Sequence, residues 1–251
     1  MTNAENISGV NVATFVLIHG AWHGGWCWDQ VAPLLRTAGH EVIAPDLPGM
    51  GEDRTDLHTI TLPVWAQFVA NLAKQASAPV ILVGHSRGGI VISAAAELVP
   101  ERIRTLVYLT AFLVPNGKTL ADMLALSEPR PVARDAIVMS ADNTTSTIVP
   151  AKVVPVFYNT TPPALCAQAA KLLTPEPMMS FATPIMTSAA RYGRVKRAYI
   201  ECEQDNAIPL ERQRLMQRAL PCDPVITLDT DHSPFYSAPG AVRDALLDLA
   251  R

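Results

Sequence analysis

The ten residues VILVGHSRGG, positions 80–89, carry the reading on which the fold turns. Residues 80–83 form a short, β-branched apolar run that Gly84 stops, and 88–98 has the spacing of a buried helix, so the stretch reads as a strand turning sharply into a helix. The turn is a G-x-S-x-G motif, Gly84-His85-Ser86-Arg87-Gly88. A serine there sits in a strained backbone conformation, and the small residues on either side let neighbouring chain approach without clashing. The helix that starts behind Ser86 points its positive end at any oxyanion formed there. The bland alternative is a glycine-rich turn with an incidental serine.

Working outward, apolar runs at 13–18, 41–44, 80–83, 105–113, 198–202 and 225–228 alternate with helical patterns at 28–38, 62–75, 88–98, 210–219 and 238–249. Such alternation predicts an α/β fold with a mostly parallel central sheet flanked by helices. The rhythm fails between Pro115 and Gly193, where 10 of the 21 prolines fall within 79 residues. That stretch, with short helices such as 163–173 punctuated by proline, reads as an insertion into one domain made of residues 1–114 and 194–251.

Composition narrows the function classes. The 251 residues are 49% hydrophobic and 17% charged, enough apolar material for a sizeable core. The formal net charge is -3 and no stripe of Lys and Arg appears, which argues against a nucleic-acid partner. No apolar run reaches the roughly 18 residues of a membrane span. Residues 1–11 lack a basic segment followed by an apolar one, so no secretory signal is expected. Cys27, Cys166, Cys202 and Cys222 are widely spaced and have no His at zinc-ligand spacing. They read as reduced thiols of a cytoplasmic protein with no metal and no cofactor. Gly24-Gly25 lies in the wrong context for binding phosphate.

A serine hydroxyl attacks only when a base takes its proton and a carboxylate holds that base's tautomer. Of six histidines, His232 follows the run 225–228 and so lies at a strand's C-terminal end, where parallel sheets gather their chemistry. Asp205 follows the run 198–202 in the same way, and Glu203 is its rival. Asp231 is a poor acid because it adjoins the histidine it would orient, and Asp46 reads as a turn residue. His19 is expected to order the first loop and His85 to point away from Ser86, while His40 and His58 read as solvated turn residues. His23 is left with two roles, touching substrate or lying at the surface. The backbone N–H groups of Ala21 and Arg87 are the expected oxyanion donors.

Five segments carry a family resemblance: FVLIHGAWHGGWCW (15–28), GHEVIAPDLPGMGEDRT (39–55), VILVGHSRGG (80–89), RVKRAYIECEQDNAIP (194–209) and DTDHSPF (229–235). Together they resemble the α/β-hydrolase superfamily, and within it the branch of plant methyl-ester esterases, hydroxynitrile lyases and bacterial carboxylesterases. The resemblance implies the α/β-hydrolase fold, a cap formed by 115–193, the order Ser86, Asp205, His232, and a homodimer as the common assembly. In lyases of this branch a threonine follows the first-strand histidine and a lysine follows the catalytic one. Here Gly20 and Ser233 stand there, favouring ester hydrolysis. Epoxide hydrolases and haloalkane dehalogenases need a carboxylate where Ser86 stands.

The expected activity is a serine esterase acting on small to medium hydrophobic carboxylic esters through an acyl-enzyme. A lactonase or xenobiotic-ester hydrolase would use the same residues, and a lyase or a non-enzymatic ligand receptor stands further off. Substrate-lining residues are sought in Gly20, Trp22, His23 and Phe112 of the core loops and in Phe157, Tyr158, Met178, Met179, Phe181 and Met186 of the cap, where Met and aromatics are also ordinary core fillers. For Arg87 a buried carboxylate partner is expected ahead of a substrate contact.

Overall fold

The computed structural model describes residues 12–251, so the signal-peptide reading of 1–11 lies outside it. Six strands form the main sheet: β1 (Thr14–Ile18), β2 (Glu41–Ile43), β3 (Val80–His85), β4 (Ile103–Leu109), β8 (Lys196–Cys202) and β9 (Val225–Leu228). Their order is β2-β1-β3-β4-β8-β9 and every pairing is parallel. The central strands are apolar on both faces because both faces are covered. The covering helices are α1 (Val31–Thr37), α2 (Leu62–Gln75), α3 (Gly88–Leu98), α8 (Leu210–Ala219), α9 (Pro234–Ser237) and α10 (Pro239–Leu249).

Residues 115–193 supply no strand to that sheet. They hold helices α4 (Leu120–Leu124), α5 (Pro150–Phe157), α6 (Pro163–Leu172) and α7 (Met179–Ala182). They also hold a separate antiparallel sheet of β5 (Ile137–Met139), β6 (Thr145–Ile148) and β7 (Glu176–Pro177), which the proline-rich reading did not anticipate. Pro150 and Pro163 stand at helix starts, where no N–H is missed, whereas Pro155 lies inside α5 rather than ending it.

Two boundaries differ instructively from the periodicity. The helix read from Trp28 begins at Val31, because 25–28 winds as a tighter 3-10 turn. The run read as strand to Leu113 leaves the sheet after Leu109, where Thr110 takes a left-handed φ of 36°. Apolar residues 111–114 continue as buried loop, so hydrophobicity alone overran the strand. In register, Ile18 pairs with Gly84, His85 with Leu109, Leu109 with Ile200 and Cys202 with Leu228. The C-terminal ends of five strands therefore come level along one edge. Among the described residues no helix is long and apolar enough to cross a membrane.

Candidate active site

Ser86 caps β3 with φ 52°, the strained turn its motif predicts. The fold can tolerate it because a Cβ at Gly84 would lie 2.8 Å from the Gly88 backbone, and one at Gly88 2.9 Å from the carbonyls of Ile18 and His19. The Ser86 N–H donates to the Leu109 carbonyl at 3.4 Å, and its carbonyl accepts from Phe112 N–H at 3.0 Å, so β4 and the loop after it brace the turn.

His232 is 2% exposed and Asp205 fully buried. His232 Nδ1–H donates to Asp205 Oδ2 at 2.7 Å, which leaves Nε2 as the acceptor. The other lone pairs of Asp205 accept from Thr110 Oγ1 at 2.5 Å and from the N–H groups of Ala207 and Ile208 at 2.7 Å each. Thr110 thus does with its hydroxyl what its departure from the sheet allows. Ser86 and His232 line one cavity of about 280 Å³ without a hydrogen bond closed between them, and such bonds commonly tighten once substrate is present. Glu203, the rival acid, is exposed. Asp231 is occupied elsewhere, accepting from Thr160 N–H, Thr161 Oγ1, Ser233 N–H and Ser237 Oγ. Asp46 accepts from the N–H groups of Gly25 and Glu52, as a turn residue does.

Ala21 and Arg87 also line the cavity, and among the described residues neither N–H has a protein acceptor. The Arg87 side chain turns away into a buried ion pair with Glu176 of β7, Nε to Oε1 at 2.8 Å, both side chains fully buried. Its Nη2 donates to the Gly20 carbonyl at 3.0 Å, and its guanidinium lies 4.0 Å over the Trp65 ring. Glu176 Oε2 accepts from Trp22 N–H at 3.1 Å. Burial pushes the Glu176 carboxyl upward, and the adjoining guanidinium opposes that shift. Trp22, at a left-handed φ of 62°, is held further by Thr174 N–H on its carbonyl and by Ser146 Oγ on its indole N–H.

Of the residues sought as substrate lining, Trp22, Phe112, Phe157 and Phe181 face the cavity. Six do not, each for a physical reason. Gly20 lies beneath it, a Cβ there falling 2.8 Å from both His85 Nδ1 and Ser86 Cβ, so a threonine at this position would collide with the serine turn. His23 is a buried strut, Nδ1–H donating to the Ala21 carbonyl at 2.8 Å and Nε2 accepting from Tyr158 at 2.6 Å, which also removes Tyr158 from the lining. Met178 packs its sulfur against Ser146 Oγ, and Met179 and Met186 are 59% and 70% exposed. The missing wall is built instead from small and branched residues, among them Pro129, Ala133, Ala136, Ile148 and Ile208, together with Arg212 of α8. His40 is not simply solvated, since its Nδ1 accepts from Ala13 N–H and its ring packs on Phe15.

With this geometry in hand, the profile of the alpha/beta hydrolase family matches residues 15–245. Putative methylesterase 11, chloroplastic, of Arabidopsis thaliana is 33% identical over 94% of this chain, and the chain spans 64% of that relative's length. Methylesterase 7 of the same plant is 33% identical over 96% of this chain and 97% of its own length. The crystal structure of a pyrethroid hydrolase from Sphingobium faniae aligns at TM-score 0.86 and 32% identity, covering 96% of this chain and 98% of that one.

Two stability predictions follow from the buried polar groups. Removing one partner of the Arg87–Glu176 pair strands a buried charge, so Glu176→Ala should lower the urea-unfolding free energy by about 3–5 kcal/mol. Replacing both partners with apolar residues should recover most of that loss. The second concerns His19, His23 and His85, whose pKa values burial lowers, that of His23 to about 4. In the folded protein these rings are neutral, whereas the unfolded chain takes up protons below about pH 6.5. Stability is therefore full above that pH and falls as pH drops toward 4, by up to about 1.4 kcal/mol per pH unit for each histidine. Denaturant melts that agree between about pH 7 and pH 5 would contradict neutral burial.

Proposed function

The chain belongs to the alpha/beta hydrolase family, and from that premise we propose that it hydrolyses carboxylic esters with Ser86 as nucleophile, His232 as base and Asp205 as the carboxylate that orients it. The observation that carries this reading is the convergence of Ser86 and the Asp205-bonded His232 on one apolar cavity. In the first step Ser86 Oγ attacks the ester carbonyl carbon while its proton passes to His232 Nε2. The negative charge that develops on the carbonyl oxygen is met by the free N–H groups of Ala21 and Arg87, with the α3 N-terminus behind them. Asp205 stays ionised and stabilises the imidazolium.

Collapse of the tetrahedral intermediate breaks the bond to the alcohol oxygen, which takes the proton from His232 and leaves an acyl-serine. Water then gives a proton to His232 and attacks the acyl carbon. Expulsion of Ser86 Oγ, reprotonated by His232, releases the acid. The cavity of about 280 Å³, walled by Phe157, Phe181, Ile148 and Ile208, suits a small to medium hydrophobic ester. The relatives' names, methylesterase and pyrethroid hydrolase, point to the same substrate class. We place the protein in the cytoplasm, a reading supported by four free cysteines.

Assays on p-nitrophenyl acetate and on methyl esters test this. Ser86→Ala should lower kcat by about a thousandfold or more. Asp205→Asn should cost at least a hundredfold, while Glu203→Gln stays near the parent protein. Full activity in the serine variant, or greater damage from the Glu203 substitution, would overturn the assignment.

A further inference from the structure

The cavity is apolar apart from the serine turn, His232 and two arginines. The arginines differ in their partners. Arg87 is neutralised by Glu176, whereas Arg212, on α8 and only 2% exposed, has no carboxylate oxygen within 4.0 Å among the described residues. Its one hydrogen bond runs from Nη2 to the Ser127 carbonyl, and its Nε is buried with no partner at all. The Ser127 hydroxyl beside it is likewise buried and unpartnered. Burial works against the charged form of Arg212, and Asp205, Glu128 and Glu211 act the other way without an ion pair to it and only partly offset that shift. A guanidinium offers five N–H donors in a planar fork that matches a carboxylate. A buried cation left with a single carbonyl is an unfinished recognition site, because charges this far from water are normally paired.

We propose that Arg212 is a specificity-determining residue that binds a carboxylate carried by the substrate away from the scissile ester. The favoured substrates are then monoesters of dicarboxylic acids and related anionic esters, with the apolar wall of Leu124, Pro129, Ala133 and Ala136 holding the chain that joins the two groups. This rests on the ester-hydrolase reading of Ser86. Because Arg87 is consumed by its own ion pair, Arg212 is the cation in the lining left to meet such an anion.

The test compares the monomethyl esters of succinate, glutarate, adipate and pimelate with isosteres in which an isopropyl group replaces the free carboxylate. Turnover is followed in the wild-type protein and binding in the Ser86→Ala protein by calorimetry. The best-fitting monoester should exceed its isostere by about ten- to a hundredfold in kcat/KM, mainly through KM, with the same preference in binding. Arg212→Leu should equalise the pair, and Arg212→Lys, which keeps the charge but loses the fork, should retain part of the preference. If Arg212→Leu fails to fold by circular dichroism, the wild-type and Arg212→Lys comparisons decide. Equal binding and turnover of acid and isostere in the wild-type and Ser86→Ala proteins overturns the proposal. Carboxylate-selective binding without hydrolysis of any ester would leave Arg212 in its role and remove the ester-hydrolase reading alone.

Discussion

The buried ion pair between Arg87 and Glu176 holds three separate pieces of chain in one geometry. Arg87 follows Ser86, the proposed nucleophile, Gly20 and Trp22 flank Ala21, whose amide is the other proposed oxyanion donor, and Glu176 comes from β7 in residues 115–193. Through Nε and Nη2 on one side and Oε2 on the other, the pair ties together the segments bearing the amides of Ala21 and Arg87, the two N–H groups proposed to meet one oxygen. A buried pair of this kind is no bargain for stability, since taking both charges out of water costs several kcal/mol. What it supplies is position. Two apolar residues could fill the same volume, but they could not hold the Trp22 amide and the Gly20 carbonyl in a fixed relation to the serine turn.

The same logic separates the two arginines of the cavity. A guanidinium whose counter-charge is met inside the fold, as Glu176 meets that of Arg87, is structural, however close it lies to Ser86. One with no carboxylate within ion-pair distance beside an apolar chamber is the one proposed to meet an anion from outside. Proximity to Ser86 therefore says less about substrate contact than the state of each group's polar partners does. His23 makes the point from the other direction: it lies two residues from Ala21, whose amide is a proposed oxyanion donor, yet both its ring nitrogens are satisfied by Ala21 and Tyr158, so it has nothing left to offer a ligand.

This also explains how far the site could be read from sequence. The serine turn was legible because Gly84 and Gly88 are sterically required there, and His232 and Asp205 because both follow apolar runs that end on the same sheet edge. Glu176 was not legible, since a glutamate in a proline-rich stretch carries no periodic signal and its partner lies 89 residues earlier. Nor was the cavity wall. Large Met and aromatic residues were the natural guess for lining, but a cavity is space left unfilled, and it forms where side chains are short, as at Ala133, Ala136 and Pro129. Arg212 hid for a further reason: α8 is so rich in charge, with Glu211, Arg214 and Arg218 around it, that one more arginine reads as a solvated face.

Several bonds tie residues 115–193 to the loops proposed to hold the chemistry. Glu176 reaches Arg87 and Trp22, Tyr158 meets His23, Thr160 and Thr161 bond Asp231 next to His232, and Asn206, beside Asp205, donates to the Pro155 carbonyl. Each of these tethers ends within two residues of a group assigned to the reaction, while Ser188, Arg191 and Tyr192 tie the same segment to Glu97 of α3 and Ser127 ties it to Arg212. Residues 115–193 thus divide by consequence. On the proposed mechanism, changing one of these tethers should shift the Ala21 and Arg87 amides or the His232 loop and so alter the rate for every ester. Changing Ala133, Ala136 or Pro129 alters only the space beyond Ser86 and so the choice among esters. The short side chains Ala133, Ala136 and Pro129 shape the chamber without making such a tether, whereas Trp22, Arg87 and Arg212 both line it and bond residues 115–193.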